Sequence, residues 1–171
     1  GFVMLGEIDN DILLMKSNRY GDMEWQQSFG GSQMDIASHI EQTSDGGFIV
    51  SATTESYGQG GKDIWLFKTN SSGLIEWNKY IGTPYDDYSG QVLETNDGGF
   101  ILIGSRGSSD QNDNDIRLIK TNSQGDSSWT RSYGGNQFDR GNDILADDQG
   151  GFILLGSTES QGNGGKDIWL L

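Results

Sequence analysis

The octapeptide DGGFILIG (97–104) has a near copy on each side, DGGFIVSA (45–52) and QGGFILLG (149–156), and successive starts lie 52 residues apart. A chain that repeats at a fixed period is a row of copies of one supersecondary unit. Each copy buries its apolar face only against a neighbouring copy. A shift of 52 brings the rest of the chain into register. DILLMKSN (11–18), DIWLFKTN (63–70), DIRLIKTN (115–122) and DIWLL (167–171) align, as do Gly21, Gly73 and Gly125. So do Trp25, Trp77 and Trp129, and the tripeptides FGG, IGT and YGG that start at 29, 81 and 133. One length change interrupts the pattern: the loop after GFVMLGE is six residues shorter than its counterparts.

Each period holds four strand-like runs, shown by DYSGQVLET (87–95), FILIGS (100–105), DIRLIKT (115–121) and SSWTRSY (127–133). Turn chemistry separates them, with SDGG or NDGG between the first and second and NSSG or NSQG between the third and fourth. No stretch carries a helical apolar period. Hydrophobic residues make up only 33%, yet five Trp, six Tyr and seven Phe supply packing volume, and 27 glycines against one proline suit many tight turns. These features predict an all-β fold. A β unit of this length, repeated, predicts the blade of a propeller.

The order of polar small-residue strand, DGG, apolar strand, DIWLFKTNSSG and a Trp-bearing strand ending in YGG resembles the WD40 and kelch families of β-propeller. It is closest in style to the repeats of secreted and surface proteins of bacteria and archaea. The third strand does not end in Trp-Asp, and no Gly-His precedes the first, so the classical WD40 group is not matched. In propeller order the chain divides into a partial blade (1–33), two full blades (34–85 and 86–137) and a partial blade (138–171). The first lacks an inner strand and the last an outer one. Unpaired backbone at such edges costs free energy. The expectation is a larger ring of roughly seven or eight blades, or a ring completed by other chains. The resemblance implies a non-catalytic module for binding, adhesion or assembly, extracellular or at the cell surface, with a protein or glycan ligand. A carbohydrate-active propeller using inner-strand carboxylates and a self-assembling unit are the alternatives.

The formal charge of −14 repels phosphate backbones and anionic headgroups, so neither nucleic acid nor a membrane is an expected partner. No apolar run approaches the roughly 18 residues of a spanning helix. The chain has no cysteine for disulfides or thiolate metal sites, and a single histidine, which excludes multi-histidine centres. No nucleophile elbow or phosphate loop is present.

The repeat sorts the remaining residues. Those identical in every unit meet a need that every unit has, and so read as scaffold: Asp11, Asp63, Asp115 and Asp167 in turns, Lys16, Lys68 and Lys120 as structural partners or solvated strand ends, and the three tryptophans between blades. Those that differ between units are where a ligand could act. On the first strands His39, Gln91 and Asp143 are equivalent, beside the small Ala37, Ser89 and Gly141 that crowding at an axis demands. Asp35, Asp87 and Asp139 open these strands, as a ring of like charge if they face the channel rim. All six are expected ligand-binding residues. Asp110, Asn112 and Asn114 alternate as oxygen ligands of calcium would, although the glycine and glutamate of an EF-hand are missing. No other cofactor is expected.

Overall fold

The structure, a computed structural model, describes residues 1–109, 113–147 and 150–171. Among these residues fourteen strands form four antiparallel sheets. The first sheet runs β1 (Phe2–Ile8), β2 (Asp11–Ser17), β3 (Met23–Phe29), in that order. The second holds β4 (Asp35–Gln42), β5 (Phe48–Thr54), β6 (Asp63–Thr69) and β7 (Ile75–Ile81). The third repeats it with β8 (Tyr88–Glu94), β9 (Phe100–Arg106), β10 (Asp115–Thr121) and β11 (Ser127–Tyr133). The fourth contains β12 (Asp139–Ala146), β13 (Phe152–Thr158) and β14 (Asp167–Leu170). Every sheet is a meander, and the two outer sheets have three strands each, as the repeat predicts. No helix among the described residues is long and apolar enough to cross a membrane.

Local chemistry fixes each hairpin. The shortened first loop is the two-residue turn Asp9-Asn10, both at positive φ (51° and 72°), the backbone that joins two twisted strands directly. In the NSSG-type turns the Asn70 side chain accepts bonds from the N–H groups of Ser72 and Leu74 at 2.9 and 3.0 Å, and Asn18 and Asn122 do the same. In the DGG turns Asp45 accepts from the Thr43 hydroxyl and the Gly47 N–H, and it pairs with Lys68 at 2.6 Å. Asp97, Thr95, Gly99 and Lys120 repeat the set. The Lys68 ammonium and Thr43 hydroxyl hold the Asp45 carboxyl well below the usual range, as the Thr95 hydroxyl and Lys120 do for Asp97.

Sheets pack face to face through three apolar junctions. Ile12 of the first sheet meets Val50, Ala52, Trp65 and Phe67 of the second. Ile49, Ile64 and Leu66 of the second meet Val92, Phe100, Leu102 and Ile119 of the third. Ile101, Ile103, Ile116 and Leu118 of the third meet Ile144 and Leu154 of the fourth. Trp25 and Trp77 wedge between sheets, edge-on to Phe48 and tilted against Phe100, with ring centroids 6.0 and 5.7 Å apart. Each lies under the turn glycine of the following sheet. A Cβ on Gly125 (φ 77°) would stand 2.6 Å from the Trp77 ring, whereas at Gly98 (φ 75°) nothing lies within 4 Å. Both need a left-handed backbone, so Gly98→Ala should cost about 1 kcal/mol. Gly125→Ala adds overpacking and should cost about 3 kcal/mol. Urea unfolding of the two variants measures the difference, and equal losses would refute the wedge.

Candidate functional site

The first strands of the second, third and fourth sheets, β4, β8 and β12, lie beside one another. Each carries a register shift against its partner strand: between Ala37 and His39, between Ser89 and Val92, and between Gly141 and Asp143. Bulges at the same place in three successive blades turn residues out of the ladder and into shared space, as bulges beside functional sites do. The result is a cleft of about 890 Å³, walled by residues 36–39, 88–91 and 140–143, with Thr53 and Leu155 behind them. The wall is thus the tetrapeptides IASH, YSGQ and RGND in register, a different set in each blade.

Some of this surface holds the blades together. The Ser89 N–H donates to the Thr53 hydroxyl at 3.0 Å, and the Ser51 hydroxyl donates to the Gly90 carbonyl at 2.6 Å. Gln91 accepts a bond from the Ile144 N–H at 2.6 Å, so its carbonyl oxygen is engaged across the junction while the residue lines the cleft. The strands approach so closely that a Cβ on Gly90 would lie 2.9 Å from the Ile103 carbonyl oxygen, and one on Gly141 2.8 Å from that of Gly104. Of the small residues expected here, Gly141 is a steric requirement, and so is the neighbouring Gly90.

His39 and Asp143 face the cleft from its two ends, and the field of Asp143 reaches the imidazole. Burial dominates and lowers the His39 pKa against the field of Asp143 and a bond to the Val92 backbone, which favours the neutral ring. Its buried Nδ1 has no hydrogen-bond partner. Tyr88 and Arg140 also line the wall, and the Tyr88 hydroxyl donates to Asp86 at 3.3 Å, outside the cleft. Burial raises the Tyr88 phenol, against the pull of Lys62, whose ammonium lies 5.4 Å from the ring centroid. Sequence reasoning passed over Tyr88, Arg140 and Asn142, although the signal was there. Ile36, Tyr88 and Arg140 are one register position, Ser38, Gly90 and Asn142 another, and both differ in every blade.

The expected ring of carboxylates does not form. Asp35, Asp87 and Asp139 are fully buried at the blade junctions and do not line the cleft. Asp35 accepts bonds from the Gly31 N–H and the Ser56 hydroxyl at 2.9 and 2.8 Å, and Asp139 from Gly135 and Ser160 at 3.0 and 2.7 Å. At Asp87 the donors are the Thr83 N–H and hydroxyl, at 2.6 and 2.8 Å. Thr83 stands where the other units have the second glycine, and its hydroxyl takes over the serine's bond. The backbone N–H of each aspartate donates to the preceding sheet, at Asn10, Lys62 or Asn114. These aspartates are joints between blades. Sequence placed them correctly at strand openings but could not tell a buried opening from a solvated one. Burial and the fields of Asp113 and Asp139 also raise the Asp115 carboxyl.

Of the expected calcium ligands, Asp110 and Asn112 lie outside the described residues. Asn114 is buried, and its carbonyl accepts the Asp139 N–H at 2.6 Å. No group of three or more His, Asp or Glu side chains gathers as a metal site among the described residues.

No protein-family model matches the chain, and no curated protein matches it. Among solved structures it is similar to an endo-arabinase from Bacteroides thetaiotaomicron, with a TM-score of 0.50 and 10% identity. The match covers 99% of this chain and 74% of that one. At that identity the likeness carries the fold. Four meander sheets packed face to face, with the first strands of the second, third and fourth gathered round one cleft, have the architecture of a β-propeller.

Proposed function

We propose that the cleft between β4, β8 and β12 binds carbohydrate. The observation that carries this reading is the wall itself. Three aligned tetrapeptides differ in every blade and bring His39, Tyr88, Arg140, Asn142 and Asp143 to one open cleft, while the unit-invariant residues are used up in turns and junctions. Neutral imidazole, phenol, guanidinium, amide and carboxylate together offer the mixed donors and acceptors that sugar hydroxyls require. The shared fold with an endo-arabinase favours a glycan over a protein ligand and makes arabinan the first probe.

Titration calorimetry with arabino-oligosaccharides and other neutral glycans tests this reading. Asp143→Asn and Arg140→Ala should each weaken binding about tenfold or more, the worth of a hydrogen bond to a charged group. Failure of every glycan to bind, or binding indifferent to both changes, overturns it. Hydrolysis is the second reading, favoured by the same likeness. Glycoside hydrolysis ordinarily uses two carboxyl groups flanking the bond, and Asp143 is the one carboxylate of the cleft wall among the described residues. Release of reducing ends from arabinan, abolished by Asp143→Asn, would establish turnover.

A further inference from the structure

A second cavity, of about 360 Å³, adjoins the cleft, and its walls include Tyr85, Asp86, Tyr88, Gly107, Asn114 and Phe138. Tyr88 lines both spaces and so forms the partition between them. Its hydroxyl lies on the side of the second cavity, where it donates to Asp86. The repeat shows why space opens here. At the equivalent place the second and fourth units hold an ion pair, Lys62 with Glu55 at 3.6 Å and Lys166 with Glu159 at 3.9 Å. The third unit has Asn114 and Gly107 in register with those residues. A short amide and a bare backbone thus replace two long charged side chains. Gly107 also admits the 84–86 loop, since a Cβ there would stand 2.4 Å from the Asp86 carbonyl oxygen. That loop presents Tyr85, 43% exposed, where the equivalent loops carry Gln33 and Gln137.

We propose that the second cavity is a further subsite for the same glycan, so that the ligand is a chain running from the cleft, over Tyr88, to Tyr85 and Phe138. This subsite rests on the carbohydrate reading of the cleft and narrows the ligand from a sugar to an oligosaccharide. Both volumes, about 360 and 890 Å³, suit small-ligand sites. The rings of Tyr85, Tyr88 and Phe138 offer apolar area for the C–H face of a sugar, and Asp86 and Asn114 offer polar atoms for its hydroxyls. The Lys62 and Lys166 ammoniums lie 5.4 and 5.6 Å from the Tyr88 and Phe138 ring centroids, which steadies those two rings. Tyr85 is left as the open stacking surface. As in the cleft wall, residues that differ between units build the space.

The test is titration calorimetry with arabino-, xylo- and gluco-oligosaccharides, each from disaccharide to hexasaccharide. Affinity of the parent chain should climb about tenfold with length in the series that binds, as one more stacked sugar is added. Tyr85→Gln and Asn114→Lys, which install the residues of the equivalent places, should each cancel most of that gain and leave disaccharide binding unchanged. Tyr85 is exposed, so its variant keeps the fold, which circular dichroism verifies for both. Arg140→Ala, in the cleft, should weaken every length alike. Affinity that does not grow with length, or a Tyr85→Gln variant that binds the hexasaccharide as the parent does, overturns the subsite and leaves the cleft reading standing. Equal weakening of disaccharide and hexasaccharide by Tyr85→Gln also overturns it, because the two spaces would then act as one. Failure of every series at every length overturns the subsite and the cleft reading together.

Discussion

Ile116→Ala should lower the stability of the chain by about 2–5 kcal/mol, and the same change at Ile168, one repeat later, by less than about 0.5 kcal/mol when measured on dilute protein. The two residues sit at the same place on the same strand of successive sheets. Ile116 is sealed between β9, β10 and the fourth sheet, and alanine there leaves a cavity that its close-packed neighbours cannot fill. In the 171-residue chain Ile168 is 84% exposed. Sequence identity between repeats thus predicts equal costs, and the tertiary structure predicts very unequal ones. Chemical denaturation at low concentration decides, and similar losses at both sites would show that the register or the face assignment is wrong.

Arg117→Leu is expected to cost about 3 kcal/mol, the penalty for leaving a buried charge without its counter-charge. Leucine is what the first unit carries at this place (Leu13), and the second and fourth carry Trp65 and Trp169, so by register the change looks mild. The environment says otherwise. The Arg117 guanidinium, largely buried, stands 3.8 Å from the fully buried carboxylate of Asp87, and neither Nη1 nor the facing Oδ1 has a hydrogen-bond partner. Burial already raises the Asp87 carboxyl against the bonds from Thr83 and the field of Arg117, and burial lowers the Arg117 guanidinium. Removing Arg117 leaves the burial penalty and takes away an opposing charge, so the carboxyl rises further.

The sign of the pH effect follows. A carboxyl whose folded pKa lies above its unfolded value binds its proton more tightly in the folded state. Its destabilisation is present above the folded pKa and relieved as pH falls toward the unfolded value. The gap between parent and Arg117→Leu should therefore narrow from pH 7 toward pH 4. Asp87→Asn in the leucine background should recover most of the loss, since a neutral amide can still accept from Thr83. A gap that is constant with pH, or a double variant no better than the single, would show that the pair carries little of the stability at this junction.

Much of the fold was legible in the one-dimensional pattern because its causes are local. Asn70 and its equivalents bond their own turns, and Gly21, Gly73 and Gly125 take a left-handed backbone that few other residues tolerate. The continuous apolar runs of the second and third strands, buried on both faces in the inner sheets, set the rest. The repeat also served as an internal control for the candidate site. Trp25 and Trp77 are wedges as the repeat suggested, while Trp129 is 39% exposed. Asp35, Asp87 and Asp139, alike in three units yet expected to bind ligand, are joints, and three of the positions that differ line the cleft wall.

What the sequence by itself determined was the unit: four strands, their turns, their order and the period that stacks one sheet on the next, all fixed by interactions within a few residues or by short apolar runs recurring at a fixed period. Only the tertiary structure decided which carboxylates are buried, that three bulges point 36–39, 88–91 and 140–143 into one space, and that Arg117 sits beside Asp87. The physical reason is that burial and charge pairing depend on what the neighbouring sheet brings, and identical residues in successive units meet different neighbours.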